Sequence, residues 1–179
     1  LIAVAIVFGM TLIFGTAGAD EKALNFFANT ELAKIGHDKV IVKAVKDQNK
    51  KGMSLADIKA MDNKWKAEEG LADYMQDIMY GGCGPHIREI WRNTGYLAEI
   101  FVMDNQGANV CMTEKTGDFW QGDEGKFWYS FNGGIGAVFV DEVEEDDAKI
   151  KHAQVSVPVM DKGKAIGAIT FDVYVDQVK

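Results

Sequence analysis

Along this chain the spacing of apolar residues changes once, near Tyr96. Before that point apolar positions recur at helical intervals, for example Leu24, Phe27 and Ala28, then Ile41, Ala44 and Val45, which predicts amphipathic helices between Glu21 and Asn49. Asp20 suits a helix start, and Gly36 predicts a break or a kink. Ser54 to Asp57 (S-L-A-D) reads as a capping box. Leu55, Ile58, Met61 and Trp65 share one face of the helix it begins, as a packing stripe does. The cluster Gly81-Gly82-Cys83-Gly84 interrupts the pattern, and Pro85 behind it suits the first turn of another helix, which Gly95 ends.

From Tyr96 the period becomes two. Leu97, Glu99, Phe101 and Met103 alternate with Ala98, Ile100 and Val102, and Asn105-Gln106-Gly107 turns the chain into a second strand, Ala108 to Thr113. Gly136 to Val143 is expected as a third strand, Ile150 to Met160 as a fourth and Ala165 to Asp176 as a fifth. Asp161-Lys162-Gly163-Lys164 is the turn between the last two. The order is helices first and then an antiparallel meander of five strands, an α+β domain. On the fifth strand Ile169, Phe171, Val173 and Val175 point one way, toward a core. Ile166, Ala168, Thr170, Asp172 and Tyr174 point the other way, a mixed surface suited to a ligand or to water.

Between the second and third strands lies T-E-K-T-G-D-F-W-Q-G-D-E-G-K-F-W, Thr113 to Trp128. It sets Asp118, Asp123 and Glu124 among Phe119, Trp120, Phe127 and Trp128. Carboxylates beside aromatic faces are the materials of a pocket biased toward ligands with a positive group. An aromatic-rich connection, with rings in the core and acids in water, fits the same residues.

The surrounding order narrows that choice. A strand ending in D-x-x-G (Asp104 to Gly107) is followed by T-x-x-T-x-D-F-W-Q-G-D-E (Thr113 to Glu124). Then comes P-V-M-D-K-G-K-A-I-G-A-I, Pro158 to Ile169. Together these resemble the Cache (PAS-like, PDC-type) extracytoplasmic sensor domains of bacteria, over roughly Asp38 to Val175. Gly117 and Phe119 stand where that pattern carries Ser and Tyr. The resemblance implies N-terminal helices followed by a PAS-like five-stranded antiparallel sheet, and a pocket between the sheet and the segment that crosses it. It also implies that Asp172 and Tyr174 line that pocket with Asp118, Phe119, Trp120, Asp123, Glu124 and Trp128.

Composition sets the context. At 179 residues and 47% hydrophobic content the chain is expected to form one domain, residues 20–179. The net charge of −8 argues against nucleic acid or an anionic membrane surface as partner. Residues 1–19 carry no charge and end in Ala17-Gly18-Ala19, the pattern of a secretory signal cut before Asp20. The run is short for a membrane crossing, and an inner-membrane anchor is the competing reading. A periplasmic or secreted module is expected, relaying its bound state to a separate membrane-bound signalling partner. Pairing with a second copy of the chain is compatible with this. In that oxidising setting Cys83 and Cys111, the only cysteines, permit a disulfide; two buried thiols are the alternative.

Catalytic and cofactor signals are sparse. His37, His86 and His152 sit in three different elements, Cys83-Gly84-Pro85-His86 is a lone C-x-x-H, and Gly133 to Gly136 lacks the Lys-Ser/Thr of a phosphate loop. The acidic run Asp141 to Asp147 lacks EF-hand spacing and reads as a solvated hairpin end. No cofactor or metal is expected. Arg88 and Arg92 are the only arginines, both before the sheet, so a pocket beyond Thr113 has no guanidinium for a carboxylate, although Lys115 and Lys126 remain as point charges. The expected ligand is an amine, a quaternary ammonium or a zwitterion held by its cationic end, bound without turnover. The alternatives are an extracytoplasmic enzyme using Asp118, Asp123 or Glu124 as acid and base, and a structural domain without a ligand.

Overall fold

A computed structural model describes residues 17–178 of the chain. The leader or anchor reading of residues 1–19 therefore lies, apart from the first residues of a helix, outside the described residues. That helix, α1 (Ala17–Phe27), runs through a π-helical stretch (Ala28–Leu32) into α2 (Ala33–Ile35). The break after it falls at Gly36, as the sequence predicts. Gly36 packs against the Pro158 carbonyl, where a Cβ would collide, and its own carbonyl accepts from Met160 N at 2.9 Å.

Helix α3 (Lys39–Lys51) is started by Asp38, whose side chain accepts from Val40 N and Ile41 N, and ended by Gly52 in the left-handed conformation. Helix α4 (Leu55–Ala67) begins on the Ser54 cap, whose hydroxyl accepts from Asp57 N. Its stripe is buried at Ile58 and Trp65, while Leu55 at its start is exposed. Helix α5 (Asp73–Tyr80), which no sequence signal announced, precedes α6 (Gly84–Asn93) with Pro85 in its first turn.

The sheet contains β1 (Leu97–Met103), β2 (Asn109–Met112), β3 (Phe139–Val140), β4 (Glu144–Glu145), β5 (Lys151–Asp161) and β6 (Lys164–Tyr174). Its order is β2-β1-β6-β5-β3, all antiparallel, with β4 also paired to β5. This corrects the meander expectation: β1 lies between β2 and β6, a pairing between strands distant in sequence. The expected third strand is also reduced. Gly133, Gly134 and Gly136 have φ of 60°, 93° and 82°, so the chain bends there and only Phe139–Val140 reaches the edge. The Asp161 to Lys164 turn forms as expected, with Lys162 and Gly163 both at positive φ.

Two cores lie on the two sides of this sheet. On one, α1, α3 and α6 deliver Leu24, Ile41, Val45 and Ile87 onto Ile100, Val102, Val155, Val157, Ile169, Phe171 and Val173. On the other, Phe101, Met103 and Ala168 meet Phe119, Phe127, Ile58, Trp65, Met75 and Met79. Ala168 and Thr170, assigned to the mixed face, are fully buried there. A disulfide joins Cys83 at the start of α6 to Cys111 on β2, with Cα atoms 5.7 Å apart. Among the described residues no helix is long and apolar enough to cross a membrane.

Candidate functional site

The aromatic-acidic stretch divides into two parts with different surroundings. Its first part, Thr113 to Gln121, is locked to the body of the protein. Thr113 Oγ1 accepts from Ile100 N at 2.9 Å and continues the β1 pairing past the end of β2. Thr116 Oγ1 donates to the Asp118 carbonyl at 2.6 Å, and Gln121 Nε2 donates to the same oxygen at 3.0 Å. Asp62, buried on α4, accepts from both Phe119 N (2.9 Å) and Trp120 N (3.0 Å), and Trp65 Nε1 donates to the Thr116 carbonyl at 2.8 Å. Lys66 bridges Asp62 (2.7 Å) and Asp118 (3.2 Å). The Asp62 bond, reinforced by Asp118, holds the Lys66 ammonium above its ordinary value against the opposing effect of burial.

The D-x-x-G turn is closed in the same way. The Asp104 side chain is buried and accepts from Gln106 N (2.8 Å) and Ala108 N (3.0 Å). Burial holds its carboxyl above the ordinary value, and these backbone donors offset only part of the rise. Gly107, at φ 85°, lies against Gly122, where a side chain would collide. The motifs that carry the family resemblance are thus largely a set of backbone locks.

The second part has a different character. Glu124 precedes helix α7 (Gly125–Phe131), which packs over β5 and β6 on the side of Phe101, Thr170 and Ser156. In the sheet beneath it, Glu99 and Asp172 are direct cross-strand partners. Burial pushes the Glu99 carboxyl from its ordinary 4.5 to about 7; the charge of Asp172 adds to the rise, Lys126 opposes it and Glu114 adds again. Lys126 is committed to Glu124 at 2.8 Å and lies 5.5 Å from the centre of the Phe101 ring. On its other side Asp172 Oδ1 meets His152 Nδ1 at 3.1 Å. Beside this contact opens a cleft of about 150 Å³ lined by Asp141, Glu142, Glu144, His152 and Gln154. Part of the acidic run expected to be a solvated hairpin end therefore walls a cleft. Ser130 Oγ on α7 is buried without a hydrogen-bond partner, and Ser156 and Thr170 share a buried hydroxyl pair at 2.8 Å.

The eight site residues expected from the sequence do not surround one cavity. Asp172 is one half of the acidic pair, Glu124 holds the lysine nearest it, and Tyr174 pairs with His152 one step along the strands. Asp118 reaches Lys66, and Phe119 is in the core against Trp65 with ring centroids 5.7 Å apart. Trp120 donates to the Gln106 carbonyl at 2.7 Å and carries Lys59 over its ring at 4.6 Å. Asp123 is exposed, and so is Trp128, stacked on Tyr129, which stacks in turn on Phe139. Glu99 is the residue sequence reasoning passed over. Strand alternation placed it on the face of Phe101, but its partner depends on a pairing across about seventy residues of chain.

The chain is similar to several domains of solved structure. The sensor domain of the V. cholerae histidine kinase DctB is 12% identical, with a TM-score of 0.45, over 90% of this chain and 57% of that one. The sensory domain of the Campylobacter jejuni chemoreceptor Tlp3, with isoleucine bound, is 14% identical, with a TM-score of 0.40, over 89% of this chain and 64% of that one. The ligand-binding domain of the same chemoreceptor in complex with L-valine is 15% identical, with a TM-score of 0.41, over 89% and 64%. This chain thus spans less than two thirds of the length of each. No family model and no curated protein matches the sequence.

Proposed function

We propose that the chain is an extracytoplasmic small-molecule sensor domain that recognises the cationic end of an amine or zwitterionic metabolite at the Glu99 and Asp172 pair. The observation that carries this reading is the pair itself: two adjacent carboxylates, one held up to about 7 mainly by burial, with a single lysine nearby that already has its own partner. The adjoining cleft adds Asp141, Glu142 and Glu144 and no lysine or arginine. An ammonium group entering here supplies a counter-charge to the pair.

Asp172, Tyr174 and Glu124 belong to this proposed site; Trp128 is exposed on α7, stacked on Tyr129. Asp118, Phe119 and Trp120 act through the lock that fixes the start of α7. The role is binding without turnover, in the periplasm or outside the cell, with the bound state passed to a membrane-bound partner. A leader cut after Ala19 belongs to the same proposal.

A thermal-shift screen of amines, amino acids and quaternary ammonium compounds tests it. A true ligand stabilises the fold by about 2.7 kcal/mol at a hundredfold excess over Kd. Asp172→Asn should remove most of that response. A screen without a binder, or a binder indifferent to Asp172→Asn, refutes the assignment.

A further inference from the structure

Helix α7 covers a sheet face that is mostly polar. Across β1, β6 and β5 the rows Phe101–Thr170–Ser156 and Glu99–Asp172–Gln154 lie side by side on the side of α7. All of these side chains but Phe101 are polar. The opposite face of the same strands carries Ile100, Val102, Val155, Phe171 and Val173, the apolar set that a permanently covered sheet presents.

The polar groups under α7 are only partly matched. Ser156 and Thr170 share a hydrogen bond at 2.8 Å, while Ser130, buried on α7, has a hydroxyl without a partner. The closed position of the helix therefore carries the cost of an unpaired hydroxyl, which water would satisfy once the helix lifted.

The helix is also short, and both of its ends allow rotation. Its 7 residues are too few to stay helical without tertiary support. Upstream, Gly122 is pinned against Gly107 and Trp120, after which Asp123 is exposed and Gly125 opens the helix. Downstream, Asn132, Gly133 and Gly134 all have positive φ, and the space around Gly133 is open. Gly136 is fixed again, against Pro158 and Met160. Closure rests on the stacked Phe127 and Phe131 in the core beneath, centroids 5.3 Å apart, and on Tyr129 against Phe139 of β3 at 5.1 Å.

We propose that residues 123–134 form a lid that lifts off the sheet about Gly125 and the pair Gly133 and Gly134, while the rest of the domain stays folded. Lifting opens the polar rows beneath to water and solutes. That Glu99 and Asp172 are the groups it uncovers for a ligand rests on the function proposed above; the motion itself does not.

Hydrogen exchange of the full chain in rising sub-denaturing urea tests the motion without any ligand. Amides of Trp128 to Phe131 should exchange at least about tenfold faster than those of β1 and β6, at a rate that low urea leaves nearly unchanged, as a local opening does. Ser156→Cys places a buried thiol under the helix in a chain whose own two cysteines are bonded to each other. It should react with N-ethylmaleimide at a rate equally indifferent to low urea, and Thr170→Cys is a second reporter with the same expectation. Ser130→Ala, added to either reporter, should slow both exchange and labelling by about 3- to 10-fold, because it removes the unpaired hydroxyl. Tyr129→Ala should hasten both by a similar factor. Labelling that tracks global unfolding in urea overturns the lid, as does a Ser130→Ala protein whose rates are unchanged or raised. A ligand screen without a binder bears on the assignment of Glu99 and Asp172 and leaves these rates as they are.

Discussion

Two pairs of buried or half-buried acids sit within one small domain and differ in what fills their acceptor sites. Asp62 and Asp104 are each surrounded by backbone donors: Phe119 N and Trp120 N for the first, Gln106 N and Ala108 N for the second. Glu99 and Asp172, under α7, face each other, and only Asp172 has a named side-chain partner, His152. A carboxylate whose acceptor sites are filled by the chain is part of the fold. One that burial and a like charge hold near neutrality has capacity left over, and a ligand is what would use it.

The sharpest way to break the first half of that contrast is Asp62→Ala. It strands two donors, one of them buried, and should cost about 2–5 kcal/mol in urea unfolding. Asp62→Asn, which keeps an acceptor, should cost visibly less. Removing the Cys83–Cys111 bridge, which ties α6 to β2 across a separation of 28 residues, should cost about 2–4 kcal/mol by the same assay.

The second half predicts the reverse sign. Because the folded Glu99 carboxyl sits at about 7 and the ordinary value is 4.5, its contribution to stability is intact below pH 4.5 and is lost as pH rises through 7. Glu99→Gln removes this loss. The variant should therefore match the native protein in acid and exceed it at pH 8, by up to about 3 kcal/mol. Equal stability at both pH values would mean that Glu99 is as well satisfied as Asp62. The smallest effect is expected at Asp118. Its pair with Lys66 is part-exposed, and Asp118→Asn should change stability by less than about 1 kcal/mol.

Local chemistry explains what was legible from the sequence. Ser54 capped its helix, Gly36 broke one, and Asp161 to Lys164 turned a hairpin, because each acts within a few residues of itself. Helix α5 was silent for the same reason. Its N-cap is Ala72 without a side-chain bond, and only Met75 and Met79 are buried from its eight residues. The strand order was hidden because β1 pairs with β6 at the far end of the chain. That pairing is also what makes a site of Glu99 and Asp172. Asp172 was visible as a polar residue on a strand face, but Glu99 looked like ordinary alternation. The aromatic stretch drew attention by composition, and much of that composition turned out to serve the lock at Asp62.

The most direct test of the acid pair is a carbon-detected NMR titration of the Glu99 side-chain carboxyl, free and with a confirmed amine ligand. The midpoint should lie near 7 in the free protein and move well downward when an ammonium group binds. A midpoint at the ordinary 4.5 in the free protein, or one that the ligand leaves unmoved, would contradict the proposed site.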